Sequence, residues 1–409
     1  MSDGGARGRY AGVLRTPHVT SLMSTALVAR LPIGIDSLAI VLFLRDRTGS
    51  YATAGVVSAA FALGSGAGAP LSGRLIDRFG QRGVLVPLAL VHTGALATLV
   101  GLALASAPTA LLLPAALVAG ATIPPISATL RPLWGPMLHD DQDLLPTAYA
   151  LDSVMIELVF VLGPLLTAAA TALLSPVAAL ALAAALLVGG TVAFASSPPS
   201  RAWRPDPAAG GHGWLGALRS PGLRTLVAAT LPLGFCFGAM EVTLPAFSED
   251  MGSRAWAGVL LSVWSLGSAT GGIIYGARAG TLPLARTYVV LAAILPLTFL
   301  PLALAPSIWV MPALCLVAGV AIAPLLASGN QLVVDVAPAG ALTEAYTWPI
   351  TALVIGLSLG NAVAGVLVES ADWRISFLVG AGIAMVGSVL AFTRRATLGV
   401  GVATAARAA

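Results

Sequence analysis

Four ionisable residues lie inside long apolar stretches of this chain: Arg30, Asp36, Glu157 and Glu241. A charge at the centre of a bilayer costs about 2.5–3.5 kcal/mol on insertion scales, so such residues are functional candidates when their stretches cross a membrane. A carboxylate in this environment can attract a cation or carry a proton, and a guanidinium can pair with a carboxylate. The four residues therefore predict a titratable pathway through an otherwise apolar protein.

Two of the four residues, Arg30 and Glu157, are predicted to lie at a similar depth in the membrane. At a rise of about 1.5 Å per residue, Arg30 lies roughly 18 Å above the start of the first predicted span, and Glu157 lies roughly 17 Å above the start of the fifth. Their similar depth predicts an Arg30–Glu157 pair across the wall of a cavity. Such a pair would either take part in proton coupling or be a purely structural buried ion pair.

The composition is that of a membrane protein. Of 409 residues, 57% are apolar and 9% are charged, whereas a soluble protein carries roughly 25% charged residues. All 21 basic residues are Arg, placed singly or in pairs between apolar runs, which argues against a nucleic acid partner. Breaking the runs at charged and turn-forming clusters predicts twelve membrane helices, near residues 18–44, 52–73, 84–105, 109–130, 146–173, 177–195, 224–247, 255–277, 286–305, 308–329, 342–367 and 374–393.

The arginines also predict the orientation. With the N-terminus inside, sixteen of them fall on inner segments and four on outer segments, a bias typical of cytoplasmic termini in a multi-pass protein of the cell membrane. The longest polar stretch between spans, residues 196–223, predicts a cytoplasmic linker. We therefore expect a six-helix bundle over residues 1–195, the linker, and a second bundle over residues 224–409.

The two predicted bundles resemble each other in sequence. The matches keep their order and an offset that drifts from 203 to 197 residues, which indicates duplication of a six-span unit. Because six is even, both copies enter the membrane in the same orientation and enclose a central cavity. Matching segments include Leu31–Gly34 with Leu231–Gly234, Leu63–Ser65 with Leu266–Ser268, and Leu117–Gly120 with Leu316–Gly319.

A charged motif follows the second predicted span, on the arginine-rich side. It contains Gly73, Asp77, Arg78, Gly80 and Arg82, in which glycine permits close helix approach or a turn and the aspartate accepts hydrogen bonds. The motif resembles the loop signature of the major facilitator superfamily. The resemblance implies an all-α membrane protein with twelve transmembrane helices in two pseudo-symmetric six-helix bundles, and it implies that Asp77 helps to latch the bundles. The alternative is an ordinary charged turn.

Two further segments indicate which branch of that superfamily the chain resembles. Gly163-Pro164 in span 5 resembles part of the antiporter signature and predicts a helix kink, although an ordinary membrane proline accounts for it equally well. Span 4 lacks the mid-membrane arginine expected of many proton-coupled exporters, because Arg131 comes only at its end. The resemblance is therefore to a bacterial drug/proton antiporter, with a departure in span 4.

Spans 1, 4, 7 and 10 line the path in the superfamily, so the resemblance implies that Asp36 and Glu241 face each other across it. Hydration at the membrane interface is the alternative for both residues. Trp264 is deep enough in its span to contact substrate, whereas Tyr149 and Tyr346 belong either to an inner gate or to the aromatic belt.

Other polar residues have structural interpretations. We interpret His92 as a packing residue rather than a ligand, and Asp152 as a solvated residue at a helix start. The Asp140-Asp141-Gln-Asp143 cluster has no companion ligand group, so neither a metal site nor another cofactor is expected.

Together these observations predict a monomeric secondary transporter whose partners are a small-molecule substrate, protons and the lipid bilayer. Proton-coupled export of a small lipophilic compound is the preferred function, and uptake of a small metabolite by proton symport is the alternative. A polytopic membrane enzyme or sensor ranks below both, because the chain contains no HExxH, GxSxG or GxxxxGK[ST] motif.

Overall fold

A computed structural model describes residues 10–139, 141, 144–204, 217–277, 283–338 and 342–399. Within these ranges, twelve helices are long and apolar enough to cross a membrane, and they confirm the twelve predicted spans. The helices are α1 (Val19–Thr48), α2 (Tyr51–Phe79), α3 (Gln81–Leu104), α4 (Thr109–Ala121 and Ile126–Met137), α5 (Leu145–Leu173), α6 (Pro176–Ser196), α7 (Pro221–Asp250), α8 (Trp256–Ala277), α9 (Leu284–Phe299), α10 (Met311–Gly319 and Ile322–Val336), α11 (Leu342–Ser370) and α12 (Trp373–Thr393).

Helices α4 and α10 are each broken inside the membrane. In α4 the break falls at Pro124 and Pro125, which have no backbone N–H to donate to the carbonyls of Gly120 and Ala121. In α10 the break follows Gly319, the residue that matches Gly120 in the repeat. The apolar runs predict one continuous helix for each of these spans, so both breaks are corrections to the predicted helices.

The sequence repeat is also a repeat of contacts. In the first half, α2 packs on α4 so closely that a Cβ on Gly120 would overlap the backbone carbonyl of Phe61. In the second half, α8 packs on α10, and a Cβ on Gly319 would overlap the carbonyl of Trp264. Phe61 and Trp264 differ by the offset of 203 residues found between the matching segments of α2 and α8. The predicted pair of pseudo-symmetric six-helix bundles is confirmed.

The two halves meet through α2 with α11 and through α5 with α8. A Cβ on Gly55 would overlap the carbonyl oxygen of Asn361, and one on Gly365 would lie 2.5 Å from that of Tyr51. Likewise, a Cβ on Gly258 would overlap the carbonyl of Pro164. These glycines let the helix backbones of opposite halves touch.

We call the end of the bundle that carries the segment between α6 and α7 the linker face, and the opposite end the far face. The halves are joined across the far face by ion pairs: Arg45 lies 3.1 Å from Glu249, and Arg254 lies 2.8 Å from Asp46. Within the second half, Arg254 also lies 2.9 Å from Glu249. Arg254 lies between α7 and α8, and its hydrogen bond with Glu249 raises its pKa. The Ser50 hydroxyl donates to Glu369 over 2.6 Å. The far face is therefore closed.

The division into residues 1–195, 196–223 and 224–409 remains a prediction. Helix α7 begins at Pro221, inside the predicted linker, and residues 205–216 lie outside the described part of the chain.

Candidate functional site

A cavity of about 170 Å³ lies between the two halves at the centre of the bundle. Its walls come from α1 and α5 of the first half and from α7, α8 and α10 of the second. Most of the lining is apolar, including Ile33, Phe160 and Phe237. The polar lining residues are Ser37, Glu157, Glu241, Trp264, Ser265 and Ser268. The cavity thus brings together three residues that the sequence analysis proposes for coupling or substrate contact.

Glu157 is a half-buried carboxylate in this cavity. It has no hydrogen-bond or ion-pair partner among the described residues, which leaves it available to a proton or a ligand. The predicted Arg30–Glu157 pair is wrong, because Arg30 Nη1 instead lies 2.6 Å from Asp152 Oδ1. Side chains on an α-helix lean towards its N-terminus, so the long arginine on α1 reaches a carboxylate nearer the linker face.

Asp152 is therefore the buried ion-pair partner of Arg30, and the interpretation of Asp152 as a solvated residue at a helix start is wrong. Its side chain is 2% exposed, and its second oxygen lies 3.5 Å from Arg131 Nε. Two guanidinium groups share one carboxylate, and Arg30 Nε and Nη2 have no other partner in the described structure. Arg30 and Asp152 lie outside the lining of the central cavity, and the cluster joins α1, α4 and α5 within the first half.

Glu241 connects the two halves from inside the cavity. Its Oε2 accepts a hydrogen bond from the Ser37 hydroxyl over 2.5 Å and lies 3.4 Å from Asn361 Nδ2. Ser37 belongs to α1 and Glu241 to α7, so we call this hydrogen bond the cross-half clasp. The Ser58 hydroxyl on α2 lies 3.2 Å from that of Ser37 and extends the cluster.

Asp36 does not face Glu241, which corrects the expectation from the resemblance. Neighbouring residues on a helix point about 100° apart, so Ser37 faces the cavity while Asp36 faces α3. There its carboxylate lies 3.4 Å from His92 Nε2, and both side chains are buried. His92 is a packing residue as predicted, but it also has an ionisable partner that the prediction lacks.

Trp264 lines the cavity with its side chain held among aromatic rings. The ring centroids of Trp264 and Phe237 are 4.9 Å apart, and those of Trp264 and Phe299 are 6.5 Å apart. The indole Nε1 is buried without a hydrogen-bond partner among the described residues. Contact between Trp264 and substrate stays a prediction.

Pro164 also lines the cavity, and Gly163 beside it packs directly on Gly34 of α1. The chain of α5 is helical through this segment. The kink at Gly163-Pro164 stays a prediction.

A second cavity of about 700 Å³ adjoins the first on the linker side, where the two share Leu326. Arg131, Tyr288 and Tyr346 are among its lining residues. Tyr346 thus lines the linker-side cavity, and its place in an inner gate or in the aromatic belt stays a prediction. The side chain of Tyr149, its counterpart in the repeat, lies outside the described residues.

The charged motif forms the junction between α2 and α3. Gly80 adopts a positive φ of 81° at this turn, and the Arg78 guanidinium lies 5.1 Å from the Phe79 ring centroid. Among the described residues, a Cβ on Gly73 would meet no atom within 4 Å, so the predicted close helix approach there is wrong. Arg82 lies in the first turn of α3. The side chain of Asp77 lies outside the described residues, and its latch role stays a prediction.

Ser37 and Asn361 are not among the residues predicted from the sequence, although Asn361 is buried and contacts Glu241. A polar amide in the middle of an apolar span is the signal that was available for Asn361. For Ser37 there is no comparable signal, because serine is common in membrane helices.

Several solved transporter structures share this fold. The nucleoside transporter NupG is 15% identical, with a TM-score of 0.72 over 93% of this chain and 98% of its own. The POT family transporter PepTSo is 14% identical, with a TM-score of 0.74 over 94% and 98%. A bacterial homologue of the human lysosomal transporter Spinster, in an inward-facing and unoccupied conformation, is 14% identical, with a TM-score of 0.70 over 95% and 98%. No curated protein sequence matches the chain significantly.

A family model also matches nearly the whole sequence. The model described as Major Facilitator Superfamily matches residues 22–295 and 242–407. Together with the twelve helices, the repeat and the cavity between the halves, this match identifies the chain as a member of the major facilitator superfamily, a family of membrane transporters.

Proposed function

We propose that this transporter exports a small lipophilic molecule across the cell membrane in exchange for protons, as in the drug/proton antiporter branch. The observation that carries the proposal is the pair of carboxylates, Glu157 from the first half and Glu241 from the second, in one otherwise apolar cavity. An apolar lining suits a lipophilic compound, and carboxylates in a low-dielectric cavity exchange protons with large energetic consequences.

The cross-half clasp links these carboxylates to alternating access. With the far face closed, the Ser37 hydroxyl stabilises ionised Glu241. Opening the far face separates α1 from α7 and breaks this hydrogen bond, so that Glu241 becomes accessible to a proton from the far side. Return to the present state restores the hydrogen bond to Ser37, and the proton leaves towards the linker side. Glu157, without a partner, is the second site for a proton or a charged group of the substrate.

The predicted orientation supports export as the direction of transport. The excess of arginine near the linker face supports a cytoplasmic assignment of that face and of both termini. The second cavity would then admit substrate from the cytoplasm. The resemblance of Gly163-Pro164 to the antiporter signature also supports export.

The test is a screen of purified protein in liposomes for proton flux driven by small lipophilic compounds. Wild type is compared with Glu157→Gln, Glu241→Gln and the control Asp335→Asn, which changes an exposed carboxylate outside both cavities. We expect the flux to fall roughly tenfold or more in each glutamine variant, because an amide does not exchange a proton at ordinary pH, and to persist in the control. Equal fluxes in all four proteins would contradict the proposal. Proton and substrate movement in the same direction would favour uptake by symport.

A further inference from the structure

Asp36 and His92 form a buried pair inside the first half, outside the central cavity. Their Oδ2 and Nε2 atoms are 3.4 Å apart, and the side chains are 1% and 0% exposed. Neither residue lines either of the two cavities. Both α1 and α3 belong to the same half, so rocking of one half against the other leaves this contact unchanged.

The contacts of the imidazole determine where its protons are. His92 Nδ1 lies 2.8 Å from the carbonyl oxygen of Ala119 in α4. A carbonyl oxygen only accepts, so Nδ1 carries a hydrogen and donates it. Nε2 therefore faces Asp36, whose oxygens have no hydrogen-bond partner among the described residues. Without a further proton, an imidazole lone pair would face a buried carboxylate anion, which is strongly unfavourable.

One proton between Nε2 and Oδ2 removes this conflict. The pair is then neutral overall, either as imidazolium with carboxylate or as imidazole with carboxylic acid. The described residues packed around the pair offer no other charge to replace that proton. The first segment of α4 and all of α6 contain no charged residue, and α2 contributes the Phe61 ring, which meets the imidazole edge-on at 6.3 Å. On α5 and α7, Asp152 pairs with Arg30, while Glu157 and Glu241 line the cavity.

The acceptor of the imidazole lies at the break in α4. Ala119 is two residues before the end of the first segment, and Pro124 and Pro125 interrupt the helical hydrogen bonds beyond it. His92 supplies a donor to this weakened end from α3, and Asp36 orients the ring from α1. The pair thus connects three helices at one point.

We propose that Asp36 and His92 form a proton-binding site outside the substrate path, which retains one proton through the transport cycle and positions His92 to anchor the break in α4. This proton is structural and is not transported. Asp36 is accordingly a positioning residue, separate from the coupling carboxylates Glu157 and Glu241.

Nitrogen NMR of the full-length protein in lipid nanodiscs tests the proton. His18, His139 and His212 are replaced by Gln so that His92 gives the single imidazole signal. We expect Nδ1 to be protonated, and we expect Nε2 to share a proton that disappears in Asp36→Asn, where the amide donates to a bare Nε2. An unprotonated Nδ1, or an Nε2 signal unchanged by Asp36→Asn, would overturn the proposal.

Thermal unfolding and transport test the positioning role. We expect Asp36→Asn to unfold close to wild type, and Asp36→Leu and His92→Leu to unfold roughly 5 °C or more lower, because each leaves a buried polar partner unpaired. The double leucine variant should recover much of the loss. If Asp36→Asn loses proton-driven transport but retains substrate exchange, Asp36 is a coupling residue and the proposal is refuted. This outcome does not depend on whether Glu157 is also a coupling residue.

Discussion

Arg30 places a guanidinium inside the membrane-spanning bundle at 1% exposure, and Asp152 is its ion-pair partner. Burial of both charges means that the pair itself adds little to stability, whereas loss of one member leaves an uncompensated charge. We predict that Asp152→Asn lowers the free energy of unfolding by about 3–5 kcal/mol. Thermal or denaturant unfolding in detergent measures the change.

An exposed ion pair provides the matched comparison. Arg374 lies 3.0 Å from Asp372 at the far face, with its side chain 48% exposed. Solvent screening limits such a pair to about 1 kcal/mol or less, so Arg374→Gln should unfold nearly as wild type does. If Asp152→Asn and Arg374→Gln lower the free energy of unfolding by similar amounts, burial of the Arg30–Asp152 pair does not determine the loss of stability.

Single residues also show what the sequence could and could not predict. Charged groups within apolar runs identify Arg30, Asp36, Glu157 and Glu241 as candidates, because the cost of burying charge makes them conspicuous. Their partners depend on the rotation of each helix and on the direction of each side chain, which span depth alone does not provide. Hence Glu157 and Glu241 share a cavity although neither was paired with the other, and Arg30 and Asp36 have partners elsewhere.

Among the helices, α2 and α11 form a contact between halves that has no room for a side chain at Gly55. This contact lies near the far end of both helices, so a large residue there should hold the far face open. We predict that Gly55→Leu shifts the protein towards a state open at the far face. The measurement is labelling of a cysteine introduced at Ile33, in the cavity, with a membrane-impermeant maleimide applied from each side.

Gly94→Leu in α3 is the control, because a Cβ there would meet no atom within 4 Å. Cys236 and Cys315 are buried and are replaced by Ala to remove background labelling. Labelling should come from the linker side in the control and from the far side in Gly55→Leu. If both variants are labelled from the linker side alone, the α2–α11 contact does not close the far face.

For the helices, the sequence predicts their number well and their continuity less well. Long apolar runs indicate spans because unsatisfied backbone groups are excluded from hydrocarbon. Such runs do not show where a helix breaks and resumes, although adjacent Pro124 and Pro125 gave a local signal for α4. In α10 the break follows Gly319 without such a signal and became apparent only from the structure.

For the whole molecule, the far face is closed by ion pairs across the halves, while the large cavity lies between them on the linker side. The repeat predicts this arrangement of two equivalent bundles about a shared cavity, since duplicated units of even span number enter the membrane alike. The sequence does not determine which face is closed. That depends on small differences in contact energy between two packings of the same halves.

The most direct test of alternating access measures both faces in one protein by electron spin resonance distances in nanodiscs. One pair of spin labels, at Arg82 and Arg286, spans the linker face, and another, at Ala105 and Leu304, spans the far face. We predict that the distance between the linker-face labels is shorter in Gly55→Leu than in wild type, whereas the distance between the far-face labels is longer. Distances that lengthen together, or that change at one face alone, would contradict the proposal that the halves rock about a shared cavity.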